Sequence, residues 1–235
     1  METEKIIDNV VEEIVEMYNI VNHGIDEKAK NNLARAYGGV IRSRKGKLVE
    51  TIADIIIEAA WESVGGKTRE LKINSNKFEI PTLEAYLNKL PSDELREYCN
   101  EKTYKLSVDR HVFIKRKFVM GMECKSYTEN AMMKRILFDF HLLKTLYPDI
   151  TCYLLQLESQ LGGDYSECKE NPLGSQSTHT LLSYFPDVKL NIITLVKGER
   201  KVDKPIHKTE FFKPIEENQI RKAIILVRKD LRRFI

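Results

Sequence analysis

Phe118-Val-Met-Gly-Met-Glu-Cys-Lys-Ser126 is the stretch on which the fold of this chain turns. It has the composition of a β-strand, and side chains alternate along a strand. Met120, Met122 and Cys124 therefore fall on one face, while Glu123, Lys125 and Tyr127 fall on the other. The first face suits a hydrophobic core and the second suits chemistry. Upstream, Tyr104-Lys-Leu-Ser-Val-Asp-Arg-His-Val-Phe-Ile114 is a second β-prone run, and Lys115-Arg116-Lys117 is a polar break between the two. The pattern predicts a hairpin.

If the hairpin turns about Arg116, Ile114 pairs with Phe118, and counting outward sets Asp109 opposite Glu123. Directly opposed residues share a face with Cβ atoms about 5 Å apart. Two carboxylates at that distance repel unless a positive charge lies between them, and a hard divalent cation with oxygen ligands, such as Mg²⁺, fills that need. Lys125 lies two residues along the same face, about 7 Å on by strand rise. There it is placed to hold or deprotonate a water, or to steady a scissile phosphate, while a metal offsets charge in the transition state. The constellation reads as a metal-dependent phosphodiesterase site. His111, two residues past Asp109 on the same strand face, is a candidate for contact with DNA or a site water.

The short pattern occurs twice more. Pro186-Asp187 with Glu199-Arg-Lys201 fits the letters, but Lys197-Gly198-Glu199-Arg200 reads as a turn, which would not hold an acid and a lysine on one face. Pro148-Asp149 with Glu158-Ser-Gln160 has a credible strand from Thr151 to Leu157, yet its aspartate falls in the loop that ends the preceding helix. The Glu123 copy ranks first and the Glu158 copy second.

Asp109, a spacer of thirteen residues, and Glu123-Cys-Lys125 on a strand before an amphipathic helix resemble the PD-(D/E)xK nucleases, among them the type II restriction endonucleases. The motif's proline is absent, since Val108 precedes Asp109. The resemblance implies an αβββαβ core with Mg²⁺ bound by Asp109 and Glu123. It also implies that Lys125 serves the attacking water, and that the products carry 5′-phosphate and 3′-hydroxyl ends. The start Lys45-Gly46-x-x-x-Glu50 resembles the opening helix of archaeal-type junction resolvases and several restriction enzymes, whose Glu reaches the metal. Glu50 is thereby a candidate third carboxylate, the alternative being a simple partner for the helix dipole. The segment Arg200-Lys-Val-Asp-Lys-Pro-Ile-His-Lys208 looks like those of enzymes cutting palindromes with a GGNCC centre. Also implied are a duplex DNA substrate, a homodimer whose symmetry matches a palindrome, and a cognate DNA methyltransferase as functional partner.

With 235 residues, 42% hydrophobic and 31% charged, the chain is long enough to bury a sizeable core in one domain. Its longest apolar runs, such as Ile52 to Ala60, are broken by Asp54 and Glu58. Met1-Glu-Thr-Glu-Lys5 lacks a signal peptide's basic and apolar regions, so a cytoplasmic protein without membrane association is expected. Cys99, Cys124, Cys152 and Cys168 show no metal-binding spacing and read as reduced residues. Net charge is only +3, but from Lys189 onward there are thirteen Lys or Arg against six Asp or Glu. The run Arg42-Ser-Arg44-Lys45-Gly-Lys47 and the triplet Lys115-Arg116-Lys117 are compact basic clusters suited to DNA phosphates.

The fold class expected is α/β, a mixed central sheet flanked by helices, restriction-endonuclease-like, with a helical N-terminal elaboration. One nuclease domain spans residues 1–235, with the elaboration at 1–44, a catalytic core at 45–157, and a recognition loop, closing strand and basic helix at 158–235. Helices are predicted over residues 3–21, 26–37 (ended by Gly38-Gly39), 45–61, 82–100, 129–147 and 216–233. In the fifth, Lys134, Arg135 and Asp139 lie off the apolar stripe. Residues 68–80 read as a strand or irregular hairpin with Asn74-Ser75-Asn76 at its tip, and Val188 to Val196 as a strand. The polar stretch from Gly162 to Thr178 reads as a long loop, in which Gln176 and Ser177 are candidates for reading base edges. Two other functions fit less well: a structure-selective DNA nuclease of the resolvase or repair type, and a non-catalytic DNA-binding protein on a nuclease fold.

Overall fold

The computed structural model describes residues 2–29, 36–163, 165, 174–201, 203–204 and 211–235. Its centre is a five-stranded sheet of β1 (Leu71–Asn74), β4 (Arg110–Ile114), β5 (Lys117–Glu129), β6 (Thr151–Gln160) and β7 (Asn191–Thr194), in the order β1-β4-β5-β6-β7. The β1/β4 and β4/β5 pairs are antiparallel, whereas β5/β6 and β6/β7 are parallel. Helix α5 (Asn130–Leu146) is the crossover that a parallel β5/β6 pair requires. A separate ribbon pairs β2 (Phe78–Ile80) with β3 (Tyr104–Leu106), with short helices α3 (Glu84–Leu87) and α4 (Asp93–Glu101) between them. Ser92 caps α4 by accepting a hydrogen bond from the Leu95 N–H.

Helices cover both faces of the sheet, as its parallel half demands. Helices α1 (Glu2–Ala29), α2 (Ala36–Glu62) and α7 (Glu217–Leu231) pack on the face carrying Met120, Met122, Cys124, Tyr153, Leu155 and Leu157. The i, i+3, i+4 spacing of Ile220, Ala223, Ile224, Val227 and Leu231 gives α7 one buried stripe. Helix α5 and α6 (Gln176–Ser183) cover the other face with Met133, Ile136, Leu137, Phe140, Leu181 and Leu182, opposite Phe118, Cys152 and Leu154. This is the mixed α/β sheet flanked by helices that the sequence predicts. Among the described residues no helix is long and apolar enough to cross a membrane.

Several local expectations are corrected. Gly38-Gly39 does not end a helix: α2 runs unbroken from Ala36, and Glu50 lies mid-helix rather than in the first turn. Each helical glycine costs only about 1 kcal/mol, and the buried Leu48, Val49, Ile52, Ala53, Ile56 and Ile57 anchor α2 on the sheet. Residues 68–80 form no hairpin with themselves, because β1 pairs with β4 and β2 with β3. The strand expected over residues 188–196 is only Asn191–Thr194, and the long polar stretch ends early, at the start of α6. Asp139 is buried at 4% exposure rather than off the α5 stripe.

Gly121 is a required glycine. A Cβ there would lie 2.8 Å from Cε1 of Phe140, so the strand approaches α5 only because that position has no side chain.

Candidate active site

The hairpin predicted between β4 and β5 forms, but by a different turn. Lys115 and Arg116 both take positive φ (49° and 69°), a two-residue turn that pairs Ile114 with Lys117 and Phe113 with Phe118. The register then shifts between Val112 and Phe113, and the ladder resumes with Val112 opposite Met120 and Arg110 opposite Met122. Val119 is the extra residue of this bulge, and Val119 and Met120 both join the core on the α2 side. Arg110 is the last paired residue, and the same register continued one step beyond the ladder sets Asp109 opposite Glu123. The register inferred from sequence is therefore recovered by two departures that cancel.

Asp109, Glu123 and Lys125 converge. Lys125 Nζ donates to Asp109 Oδ2 at 2.8 Å, to Glu123 Oε2 in a very short contact, and to the Cys124 carbonyl at 3.2 Å. The Cys124 N–H donates to Asp109 Oδ2 at 2.7 Å. Three oxygens thus point at one positive centre. Burial pushes the Glu123 carboxyl up to about 7; Lys125 opposes this and Asp109 adds to it. Burial also works to raise Asp109, but the charge and hydrogen bond of Lys125 and the Cys124 N–H outweigh it, so Asp109 lies below the usual carboxylate range. For Lys125, burial would lower the pKa, yet Glu123 and Asp109 hold it up at about 12. The pair of acids carries one easily ionised and one reluctant member, as expected when like charges share a site.

These donors fit a hard divalent cation: carboxylate and carbonyl oxygens already gather around a cationic nitrogen, and Glu123, 6% exposed, has little water to replace one. Among the described residues no group of three or more His, Cys, Asp or Glu is placed to hold a metal; the oxygens gathered here are those of two carboxylates and the Cys124 carbonyl.

Glu50 is not drawn into this cluster. Its carboxylate accepts from Arg110 Nη1 at 3.3 Å, and Arg110 also grips Asp54. His111 is corrected from a surface contact to a core residue. It is fully buried between Phe78 and Phe118, with ring centroids at 4.6 and 5.4 Å, and Nε2 accepts from the Val108 N–H. Burial pushes its pKa down to about 4, so the ring is neutral. Lys45 is corrected likewise: it is 3% exposed over the Phe212 ring, and burial, partly offset by Glu158, lowers its pKa to about 8. Arg44, Lys47, Lys115, Arg116, Lys117, Gln176 and Ser177 are exposed, and the side chain of Arg42 lies outside the described residues. Lys117 is six residues from Glu123 along β5, about 20 Å by strand rise.

The competing Glu158 lies at the far end of β6 and pairs with Lys213 at 3.2 Å. Pro148-Asp149 lies in the turn after α5, and Glu199 lies outside the named strands, in an isolated bridge to Ser159. Two residues near the site escaped the reading of the sequence. Arg110 follows Asp109 directly but projects to the α2 face, and Asp139 reaches the field of Lys125 from α5 with Arg135 3.5 Å away. The Glu50/Asp54 spacing of four on α2 was the available signal for Arg110; nothing local marks Asp139.

No protein-family model matches the chain. Over 232 residues it is 46% identical to the type II restriction enzyme DdeI of Desulfomicrobium norvegicum, covering 95% of this chain and 97% of that enzyme. Among solved structures it is similar to the native BbvCI A2B2 tetramer at low resolution, with 10% identity and a TM-score of 0.38, covering 95% of this chain and 89% of that one. By its extended identity to DdeI, the chain belongs to the type II restriction enzymes, which are site-specific deoxyribonucleases.

Proposed function

We propose that the protein cleaves duplex DNA at a specific palindrome by Mg²⁺-assisted in-line hydrolysis, with Asp109 and Glu123 as metal ligands and Lys125 beside the attacking water. The observation that carries this reading is the convergence of Asp109 Oδ2, Glu123 Oε2 and the Cys124 carbonyl on one cationic position. A bound Mg²⁺ supplies positive charge to the scissile phosphate and lowers the pKa of a coordinated water. The chain's own groups do the rest. Asp109 is already ionised, and Glu123 must give up its proton to become a ligand, which a nearby cation favours.

Held at about 12, Lys125 is an ammonium at neutral pH. This favours a donor that orients water or steadies a phosphate oxygen over a general base. Glu123 is buried, whereas the side chains of Asp109 and Lys125 are 29% and 31% exposed, so the site is open to a substrate while Glu123 acts where its charge is poorly screened by solvent.

The remaining assignments are proposals of the same reading. Exposed Arg44, Lys47, Lys115, Arg116 and Lys117 contact phosphates, and Gln176 and Ser177 at the start of α6 read base edges. A homodimer matches a palindromic site. A cognate DNA methyltransferase and cytoplasmic location complete the setting. Glu50 is left out of the metal set because Arg110 holds it.

The test is cleavage of a long natural duplex with and without Mg²⁺. Discrete fragments that require the metal are expected. A smear, or cleavage unaffected by chelation, would overturn the proposal.

A further inference from the structure

We infer that Arg110, gripped by Glu50 and Asp54 of α2, is a positioning residue that fixes the backbone of Asp109 for metal binding. The inference rests on the proposed role of Asp109 and gives Glu50 a task other than ligation.

Asp109 needs such a device. Strand β4 begins only at Arg110, so no ladder hydrogen bond of a regular strand fixes residue 109. Its side chain is held from β5 by the Cys124 N–H and Lys125 Nζ. Its carbonyl is held by Arg110 Nη1 at 2.8 Å. That guanidinium is itself immobilised: Nε and Nη2 donate to the two oxygens of Asp54 at 2.5 and 3.0 Å, and Nη1 to Glu50 at 3.3 Å. Glu50 and Asp54 are four apart on α2 and so share one helix face. Because Arg110 pairs in register with Met122, it projects to the α2 side, and a rigid helix holds the loop from beneath.

The chemistry requires arginine. A planar fork meets both oxygens of Asp54 while reaching Glu50 and the Asp109 carbonyl, and an ammonium has neither the span nor the fixed geometry. Its side chain is only 16% exposed, with Asp54 at 35% and Glu50 at 39%, so this is no freely solvated surface pair. Glu50 then acts on the site through Arg110, with no contact of its own to the metal.

A double-mutant cycle on the full chain tests this, reading Mn²⁺ binding to the free protein from loss of the free-ion EPR signal and the single-turnover rate on duplex DNA. Arg110→Lys and Asp54→Asn are expected to lower Mn²⁺ affinity and rate about 10- to 100-fold, the usual cost of losing a group that orients a ligand. Glu50→Gln is expected to lower both in the natural background and to have no further effect once Arg110 is alanine.

An undiminished Glu50→Gln effect in the Arg110→Ala background would overturn the inference, since Glu50 would then act directly. So would Arg110→Lys and Asp54→Asn variants that lower the melting temperature but bind Mn²⁺ normally. Asp54→Asn keeps the test open if Arg110→Ala does not fold. Failure of the metal-site reading looks different: Asp109→Asn and Glu123→Gln would themselves bind Mn²⁺ like the natural protein, which removes the clamp's purpose as well.

Discussion

Asp109 and Lys125 are sixteen residues apart in sequence and 2.8 Å apart at their charged atoms, and the bulge at Val119 brings them there. A two-residue turn at Lys115-Arg116 with an unbroken ladder would carry Asp109 one position short, opposite Met122, whose side chain lies in the α2-side core. One inserted residue restores the match, since a register slip of one flips a strand's faces.

Removing the lysine isolates its contribution. Lys125→Ala should lower the single-turnover cleavage rate by at least about 10²-fold, in line with loss of one preorganised donor at developing charge. Gel-shift affinity for duplex DNA should stay within a few-fold. Full cleavage in this variant would remove Lys125 from the mechanism.

Because Glu123 is held near 7 while Asp109 is already ionised, one proton limits metal binding around neutrality. Mn²⁺ affinity should rise about tenfold per pH unit below 7 and level off above about 8. In Glu123→Gln this slope should vanish. A Mn²⁺ titration between pH 6 and 9 checks it.

Stability without metal should carry two opposing pH dependences. Glu123 titrates at about 7 when folded against 4.5 when unfolded, so the folded state holds the extra proton and the contribution is lost as pH rises through that window. His111 titrates at about 4 against 6.5, so its contribution is present above 6.5 and lost as pH falls towards 4. Denaturant melts should show Glu123→Gln gaining on the natural protein from pH 4.5 to 7. His111→Asn should lose its disadvantage as pH falls from 6.5 to 4. Parallel curves for either variant would contradict the assignment.

Gly121→Ala should destabilise by about 1–3 kcal/mol, the usual cost of overpacking. The added Cβ meets Phe140, a fully buried ring without room to retreat. Chemical denaturation measures this, and an unchanged midpoint would mean the strand and α5 move apart freely.

Arg116 is exposed at φ 69°, a left-handed conformation that strains any residue with a Cβ. Arg116→Gly should therefore stabilise the protein by about 1 kcal/mol. If Arg116 also contacts a phosphate, the same change lowers the log–log salt slope of DNA binding by about one. An unchanged slope would remove it from the DNA surface.

Strand alternation in residues 118–126 was enough to put Met120, Met122 and Cys124 in one core and Glu123 with Lys125 on the opposite face, because a period of two is a local property of the backbone. Helix α5 and the strand that follows it were legible for the same reason, from strong periodicity, whereas the parallel pairing of β5 with β6 came with the fold. The course of α2 was not: Gly38-Gly39 looks like a stop, yet the helix runs through it and is anchored on the core from Leu48 onward. The burial of His111, Lys45 and Asp139 was likewise invisible, since each depends on what a distant segment lays over it. So did the partner of Glu50. Sequence placed it four residues from Asp54, but the guanidinium that joins them comes from a strand some sixty positions away, and only the folded chain brings it there.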